Sequence, residues 1–292
     1  MCRILVLRGG ALGDFIVTLP ALRLLRERWP AAEITLIGNA TAAQLGRHAG
    51  VIDIVRSQHD ARWSALHDEG ALPTDLADWL GGFDLVVNYW PDPDGALARH
   101  FPRHPAQRYL TAPALPQTGP AAAHYAAPLA GLGIVLTDPQ PRLTFPGSRS
   151  ATLALHPGSG SPRKNWPAAR WREVCARIDA PWLIVGGEAE AEVRDAFAPY
   201  GECLFGRPLL EVAERLAGCR GFLGHDSGIA HLAAAVGTPC GLLFGPTDPA
   251  IWAPPGPQVR VLRREAGLDA ITVDDVVEMT KRHFFAAQVG PA

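Results

Sequence analysis

The sequence predicts an α/β protein of two halves, each built on a parallel sheet, and three observations carry that expectation. Short apolar, β-rich runs alternate with helical patterns along most of the 292 residues. The runs are apolar almost without a break, as strands covered on both faces are. The alternation also restarts near Ala151, after a stretch of proline and small polar residues at Thr137–Ser150.

In the first half the strand candidates are Arg3–Arg8, Glu33–Gly38, Val51–Val55 and Phe83–Tyr89, with a helical pattern at Ala21–Trp29. The segment Pro91–Pro128 is proline-rich, lacks periodicity and reads as irregular. In the second half the strand candidates are Ala151–His156, Trp182–Gly186, Gly221–Gly224, Cys240–Phe244 and Val259–Leu262. The helical patterns there are Ala168–Ile178, Ala189–Phe197, Leu209–Leu216 and Ile229–Val236. Strand, helix, strand repeated this way is what parallel pairing needs, because each strand must be re-entered from the same end. Thr137–Ser150 reads as the linker, giving domains 1–145 and 146–292. A last amphipathic helix, Val273–Phe285 and on to residue 287, either packs on its own domain or crosses back to the first.

Hydrophobic residues make up 48% of the chain and charged residues 19%, enough apolar matter for two cores and too little charge for disorder. A formal net charge of -2 argues against a nucleic-acid partner. Cys2, Cys175, Cys203, Cys219 and Cys240 form no CxxC pair, so they read as reduced thiols of a cytosolic protein and not as zinc ligands. The opening residues lack a signal-peptide pattern, and no run approaches the ~20 apolar residues of a membrane helix. The expected location is the cytoplasm.

Four motifs carry chemistry. Gly9-Gly10-Ala11-Leu12-Gly13-Asp14 follows the first strand directly. Its glycines allow a tight turn, but the spacing is wrong for a GxGxxG fingerprint, and an aspartate there would repel a pyrophosphate. Asp14 suits either a general base at the strand's carboxyl end or a helix cap. His156-Pro157-Gly158-Ser159-Gly160-Ser161-Pro162-Arg163-Lys164-Asn165-Trp166-Pro167 ends a strand in small residues and two cations. It is a phosphate cradle with Lys164 as a point charge, or an ordinary solvated connection.

Gly224-His225-Asp226-Ser227-Gly228-Ile229-Ala230-His231 runs from a strand straight into a helix, whose N-terminal amides suit a diphosphate. His231 lies on the first turns of that helix. Gly245-Pro246-Thr247-Asp248-Pro249 ends the next strand, with Thr247 and Asp248 able to bind a ligand hydroxyl or to make a turn and cap. Polar, glycine-containing loops at successive strand ends of one sheet are the usual layout of a nucleotide site.

These residues resemble glycosyltransferase family 9, the ADP-heptose:lipopolysaccharide heptosyltransferases, over nearly the whole chain. The resemblance rests on Gly13-Asp14 with Thr18-Leu19-Pro20, on His156-Pro157-Gly158 through Lys164-Asn165-Trp166-Pro167, on Asp226-Ser227-Gly228 with His231, and on Gly245-Pro246-Thr247-Asp248-Pro249. It implies the GT-B fold, two Rossmann-like domains with parallel sheets facing across a cleft. The N-terminal domain would bind the acceptor and the C-terminal domain the nucleotide sugar. The implied reaction is an inverting, metal-independent transfer of a sugar, heptose first, from an ADP-sugar to a hydroxyl of a lipopolysaccharide core, another glycan or a small molecule.

By the same resemblance, Asp14 matches the proposed base and Lys164 a lysine that contacts the donor phosphates. Asp226, Ser227 and Gly228 match the donor-binding turn. The donor site would comprise Gly158, Ser159, Gly160, Ser161, Lys164, Asp226, Ser227, Gly228, His231 and Thr247, and the acceptor-side loop Gly10, Gly13 and Thr18. The nucleotide sugar is a substrate, and no cofactor is implied. The implied partners are that donor and a glycan or lipid-linked acceptor, the latter compatible with peripheral contact at the inner membrane face. The first domain is trimmed around Arg56–Phe83, a segment that would help form the acceptor site. Two rival readings share the fold, a nucleotide-sugar epimerase and a non-catalytic nucleotide-sugar-binding protein. An NAD-dependent oxidoreductase is disfavoured by the missing GxGxxG.

Overall fold

The computed structural model describes residues 2–68, 70–187 and 191–285. The chain divides into two compact units, Met1–Pro141 and Arg142–Ala292. The boundary lies between Pro141 and Arg142, and the segment on each side of it is hydrogen-bonded to its own unit. Arg23 donates to the carbonyls of Asp138 (2.8 Å) and Gln140 (3.3 Å) in the first unit. In the second, Leu143 N–H donates to Ala235 O and Ser150 N–H to Gly218 O, both at 2.8 Å.

The first unit runs β1 (Arg3–Arg8), α1 (Leu12–Arg28), β2 (Glu33–Gly38), α2 (Ala40–His48), β3 (Ile54–Ser57), α3 (Thr74–Gly81), β4 (Leu85–Asn88), β5 (Arg108–Thr111) and α4 (Ala121–Ala126). Its five strands pair in parallel in the order β3-β2-β1-β4-β5. β1 is buried along almost its whole length, which its apolar run foretells. α1 begins nine residues before the expected Ala21, and Pro20 lies inside it. An internal proline costs about 3 kcal/mol. Burial of Phe15, Ile16, Leu19, Leu22 and Leu25 around it offsets that, at roughly 1.5–3 kcal/mol per side chain. The segment expected to be irregular holds β5 and α4. β3 lies about three residues later than its apolar run suggests, because Val51 and Ile52 pack beneath α2 and pairing begins only at Ile54.

The second unit runs β6 (Leu153–His156), α5 (Ala168–Arg177), β7 (Trp182–Gly186), α6 (Ala191–Phe197), β8 (Gly201–Phe205), α7 (Leu209–Ala217), β9 (Gly221–His225), α8 (Gly228–Ala235), β10 (Cys240–Phe244), α9 (Pro249–Trp252), β11 (Val259–Arg263) and α10 (Val273–Thr280). All six strands are parallel in the order β11-β10-β9-β6-β7-β8. The first two residues of the expected helix Ala189–Phe197 lie outside the described residues. α10 continues in a π-turn to Phe285 and packs on α5 of its own unit, with Val276, Val277 and Phe284 in a core with Trp171, Val174 and Ile178. Residues 286–287 of that expected helix lie outside the described residues. None of the described helices is long and apolar enough to cross a membrane.

In both sheets the chain reverses direction of growth beside the first strand. The reversal lies between β1 and β4 in the first unit and between β6 and β9 in the second. Open α/β sheets bind ligands beyond the carboxyl ends of the strands at such a point. Three of the four sequence motifs follow β1, β6 and β9, and the fourth follows β10, the neighbour of β9.

Candidate functional site

The turn after β1 is shaped around Asp14. Asp14 is the third residue of α1, and its Oδ2 accepts the Ala11 N–H at 2.9 Å, one half of a capping box. Its Oδ1 accepts from an Arg8 guanidinium nitrogen at 3.1 Å. Arg8 Nε also donates to Asp14 O (3.1 Å) and to the Thr18 hydroxyl (2.9 Å), and the guanidinium lies 4.2 Å over the Tyr125 ring. Arg8 is 6% exposed and Asp14 31%. The carboxylate is thus presented at the surface on a buried cation. Thr18 is fully buried; its hydroxyl accepts from Arg8 and donates to Asp14 O at 2.9 Å. Gly13 sits half-buried in the first turn of α1.

Gly10 has φ +101°, a backbone region L side chains rarely adopt, and a Cβ there would lie 2.5 Å from Asp14 Oδ2. Gly10→Ala is expected to cost about 1–3 kcal/mol of strain. Displacing the carboxylate by a fraction of an ångström to an ångström should cut turnover by up to ~10²-fold. Thermal melting and steady-state rates of that variant check both effects.

In the second unit, β6 and β9 are neighbours, with His156 paired to Gly224, so the loops that follow them meet. Lys164 Nζ donates to Asp226 Oδ2 at 2.6 Å, and the Thr247 hydroxyl donates to the same oxygen at 2.7 Å. One residue from each of three loops therefore converges on one atom. Asp226 is 8% exposed and Lys164 29%. Ser227 caps α8, its Oγ accepting the Ala230 N–H at 3.2 Å and lying 3.3 Å from His156 Nδ1. The amides of Gly228 and Ile229 precede that bond at the open end of the helix. His231 lies one turn further in, 5% exposed, its N–H bonded to Ser227 O.

Ser159 is turned onto its own loop. Its hydroxyl lies 2.8 Å from Ser161 O and 2.6 Å from Asn165 Oδ1, with one proton shared between these two acceptors, and accepts from Ser161 N–H (3.3 Å). Gly160 is exposed at the crest, with open space around it, and Ser161 precedes the 3-10 turn that carries Lys164. Among the described residues no three His, Cys, Asp or Glu side chains group as a metal site.

The sequence reading assigns no role to His225, which the structure places under the phosphate-type loop. Its Nε2 accepts from Trp166 N–H (2.8 Å) and from the Trp171 indole N–H (3.2 Å). Two donors on Nε2 put the ring proton on Nδ1, which donates to Gly158 O at 3.3 Å. Burial lowers its pKa to about 4. The imidazole therefore stays neutral and ties the loop after β6 to α5. An unfolded chain takes a proton at this ring below its ordinary 6.5, while the folded chain refuses one until about 4. Stability from this group is complete above pH ~6.5 and falls as pH drops toward 4, by on the order of 3 kcal/mol across the window. Urea unfolding at pH 7 and pH 5 should show about 2 kcal/mol of that loss, and His225→Gln should flatten it. Arg8 is the other residue without a sequence-level role; a cation at a strand's end carries no signal for it beyond its neighbour Asp14.

The family model of glycosyltransferase family 9 (heptosyltransferase) matches residues 116–275, more than half of the chain, and includes all three loops of the second unit. The chain belongs to glycosyltransferase family 9. Lipopolysaccharide heptosyltransferase 1 of Salmonella typhimurium is 38% identical over 95 residues, a stretch that covers 30% of this chain and 30% of that protein. Among solved structures, the family 9 glycosyl transferase of Veillonella parvula superposes with a TM-score of 0.76 at 22% identity, covering 97% of each chain. The E. coli heptosyltransferase WaaC with ADP superposes with a TM-score of 0.75 at 19% identity, covering 96% of this chain and 99% of that one. At these identities the superpositions speak for the fold, and the fold of this family member is GT-B.

Proposed function

We propose that this family 9 member transfers a sugar, heptose first among candidates, from an ADP-sugar to a hydroxyl of a glycan or lipid-linked acceptor, with inversion at the anomeric carbon. The observation that carries the reading is the convergence of Lys164, Asp226 and Thr247 beside the N-terminus of α8, at the reversal point of the second sheet. A cation, a helix N-terminus and a carboxylate together suit a diphosphate joined to a polyol.

In this reaction Asp14 takes the proton of the acceptor hydroxyl. The freed oxygen bonds to the anomeric carbon as the bond from that carbon to the diphosphate oxygen breaks. ADP leaves with the negative charge, which Lys164 and the Gly228 and Ile229 amides meet. Donors fixed before the reaction stabilise that charge without reorganising. Asp226, released by Lys164 as the diphosphate takes its place, binds sugar hydroxyls together with Thr247. The proposed setting is the cytoplasm, at or near the inner membrane face when the acceptor is lipid-linked.

A calorimetric panel of ADP-, UDP-, GDP- and dTDP-sugars tests the donor. ADP-heptose is expected to bind tightest. A preference for another base would overturn the ADP assignment, and an epimer formed from donor alone would replace transfer by isomerisation.

A further inference from the structure

The cation and the carboxylate of the second unit's three loops occupy each other. Lys164 Nζ lies 2.6 Å from Asp226 Oδ2, and the Thr247 hydroxyl donates to the same oxygen at 2.7 Å. Asp226 is buried, and among the described residues Lys164 is the one cation within salt-bridge distance of it. Both bonds fall on Oδ2, so Oδ1 keeps its lone pairs for a ligand.

The backbone around Lys164 is fixed. Lys164 N–H donates to Ser161 O at 2.9 Å and Asn165 N–H to Pro162 O at 3.1 Å. Trp166 N–H donates to His225 Nε2 at 2.8 Å, and its buried ring packs edge-on against Trp171. Asp226 and Thr247 follow β9 and β10, which are paired neighbours. Lys164 can therefore change partner by swinging its own half-buried, flexible stem, with no movement of the loop.

We propose that this pair is a lock that makes the site prefer a nucleoside diphosphate sugar over the bare nucleoside diphosphate, an inference that rests on the donor reading above. A bare diphosphate offers Lys164 a new anion but leaves buried Asp226 with the Thr247 hydroxyl alone. A buried carboxylate stripped of its cation is costly. The bare ligand binds against that cost, or binds the Gly228 and Ile229 amides while Lys164 stays on Asp226. A diphosphate sugar brings both replacements at once, phosphate oxygens for Lys164 and hydroxyl donors for the freed carboxylate. The bare diphosphate is also the product of transfer. Once the sugar has moved to the acceptor, Asp226 draws Lys164 back and the hold on the product weakens. Plain repulsion between Asp226 and an anion would weaken ADP binding whether or not Lys164 is present, whereas the lock acts only through Lys164.

Calorimetry of the full chain with ADP and with ADP-heptose separates these cases. The unaltered chain is expected to bind ADP-heptose at least about tenfold tighter than ADP. Asp226→Asn keeps the shape and a carbonyl oxygen for Thr247 but removes the charge that holds Lys164. It should bind ADP about tenfold tighter than the unaltered chain does and lose most of the preference for ADP-heptose. In a Lys164→Ala background the same substitution should leave ADP affinity within about twofold. Equal affinities of the unaltered chain for the two ligands overturn the proposal. So does an Asp226→Asn chain whose ADP affinity is unchanged or weaker, and so does equal tightening in both backgrounds. Each of these leaves the donor assignment standing as long as Lys164→Ala itself weakens ADP binding. If neither ligand binds the unaltered chain, the donor reading fails and the lock with it.

Discussion

Asp14→Asn is expected to lower kcat by roughly 10²–10⁴-fold while ADP affinity stays within about twofold of the parent chain, the range of effects typical for loss of a general base. The carboxylate's oxygens are engaged by Ala11 N–H and by Arg8, and each keeps a second lone pair for an acceptor hydroxyl. The amide keeps the shape and a carbonyl oxygen for Ala11, and loses the basic site and the charge opposite Arg8. The buried guanidinium retains its contacts with Thr18, Asp14 O and the Tyr125 ring. The pair is partly exposed on the Asp14 side, so the stability loss should stay near or below about 1 kcal/mol. Rapid-quench assays with ADP-heptose, alongside calorimetry with ADP, separate the two effects. A variant that transfers at the parent rate would remove Asp14 as base.

Lys164→Ala is expected to reduce kcat/KM by about 10²–10³-fold, as loss of one preorganised donor to a developing charge does. This variant also strips the cation from Asp226, a carboxylate only 8% exposed, and leaves the Thr247 hydroxyl on the same oxygen. A loss of activity alone would therefore mix phosphate binding with local destabilisation. The double variant Lys164→Ala with Asp226→Asn resolves the mixture. It should recover melting temperature relative to Lys164→Ala and recover none of the ADP affinity, a readout that leaves out the sugar hydroxyls assigned to Asp226. Recovery of both would mean that Lys164 serves Asp226 and not the diphosphate.

What the sequence makes legible here follows from how local the determinants are. β1 and β2 are visible to the residue because their apolar runs are unbroken and flanked by glycine or charge. β5 and β8 are edge strands with half-exposed residues, so no apolar run marks them. α2 buries a face of Ala42, Ala43, Leu45 and Gly46 with Leu45 its one large apolar side chain, so its pattern is faint in the sequence, although Asn39, which caps it by accepting Ala42 N–H, stands there as a start signal. The expected helix opens at Ala21, just after Pro20, whereas α1 runs through Pro20 because tertiary burial overrides local propensity.

The candidate site divides in the same way. The loops after β6, β9 and β10 announce themselves by glycine, hydroxyl and charge, and the structure brings Lys164, Asp226 and Thr247 together. Arg8 and His225 stay hidden, since most of their partners lie tens of residues away, Tyr125 from Arg8 and Gly158 from His225 among them, and only folding brings them into contact. Thr18 shows the converse: a residue visible in a motif turns inward and bonds to Arg8.

A crystal structure of the chain grown with saturating ADP addresses the donor site directly. The diphosphate should lie within hydrogen-bond distance of Lys164 Nζ and of the Gly228 and Ile229 amides, with Lys164 drawn off Asp226 Oδ2. ADP seated anywhere else, with the Lys164–Asp226 pair intact, would contradict the assignment of these loops to the donor.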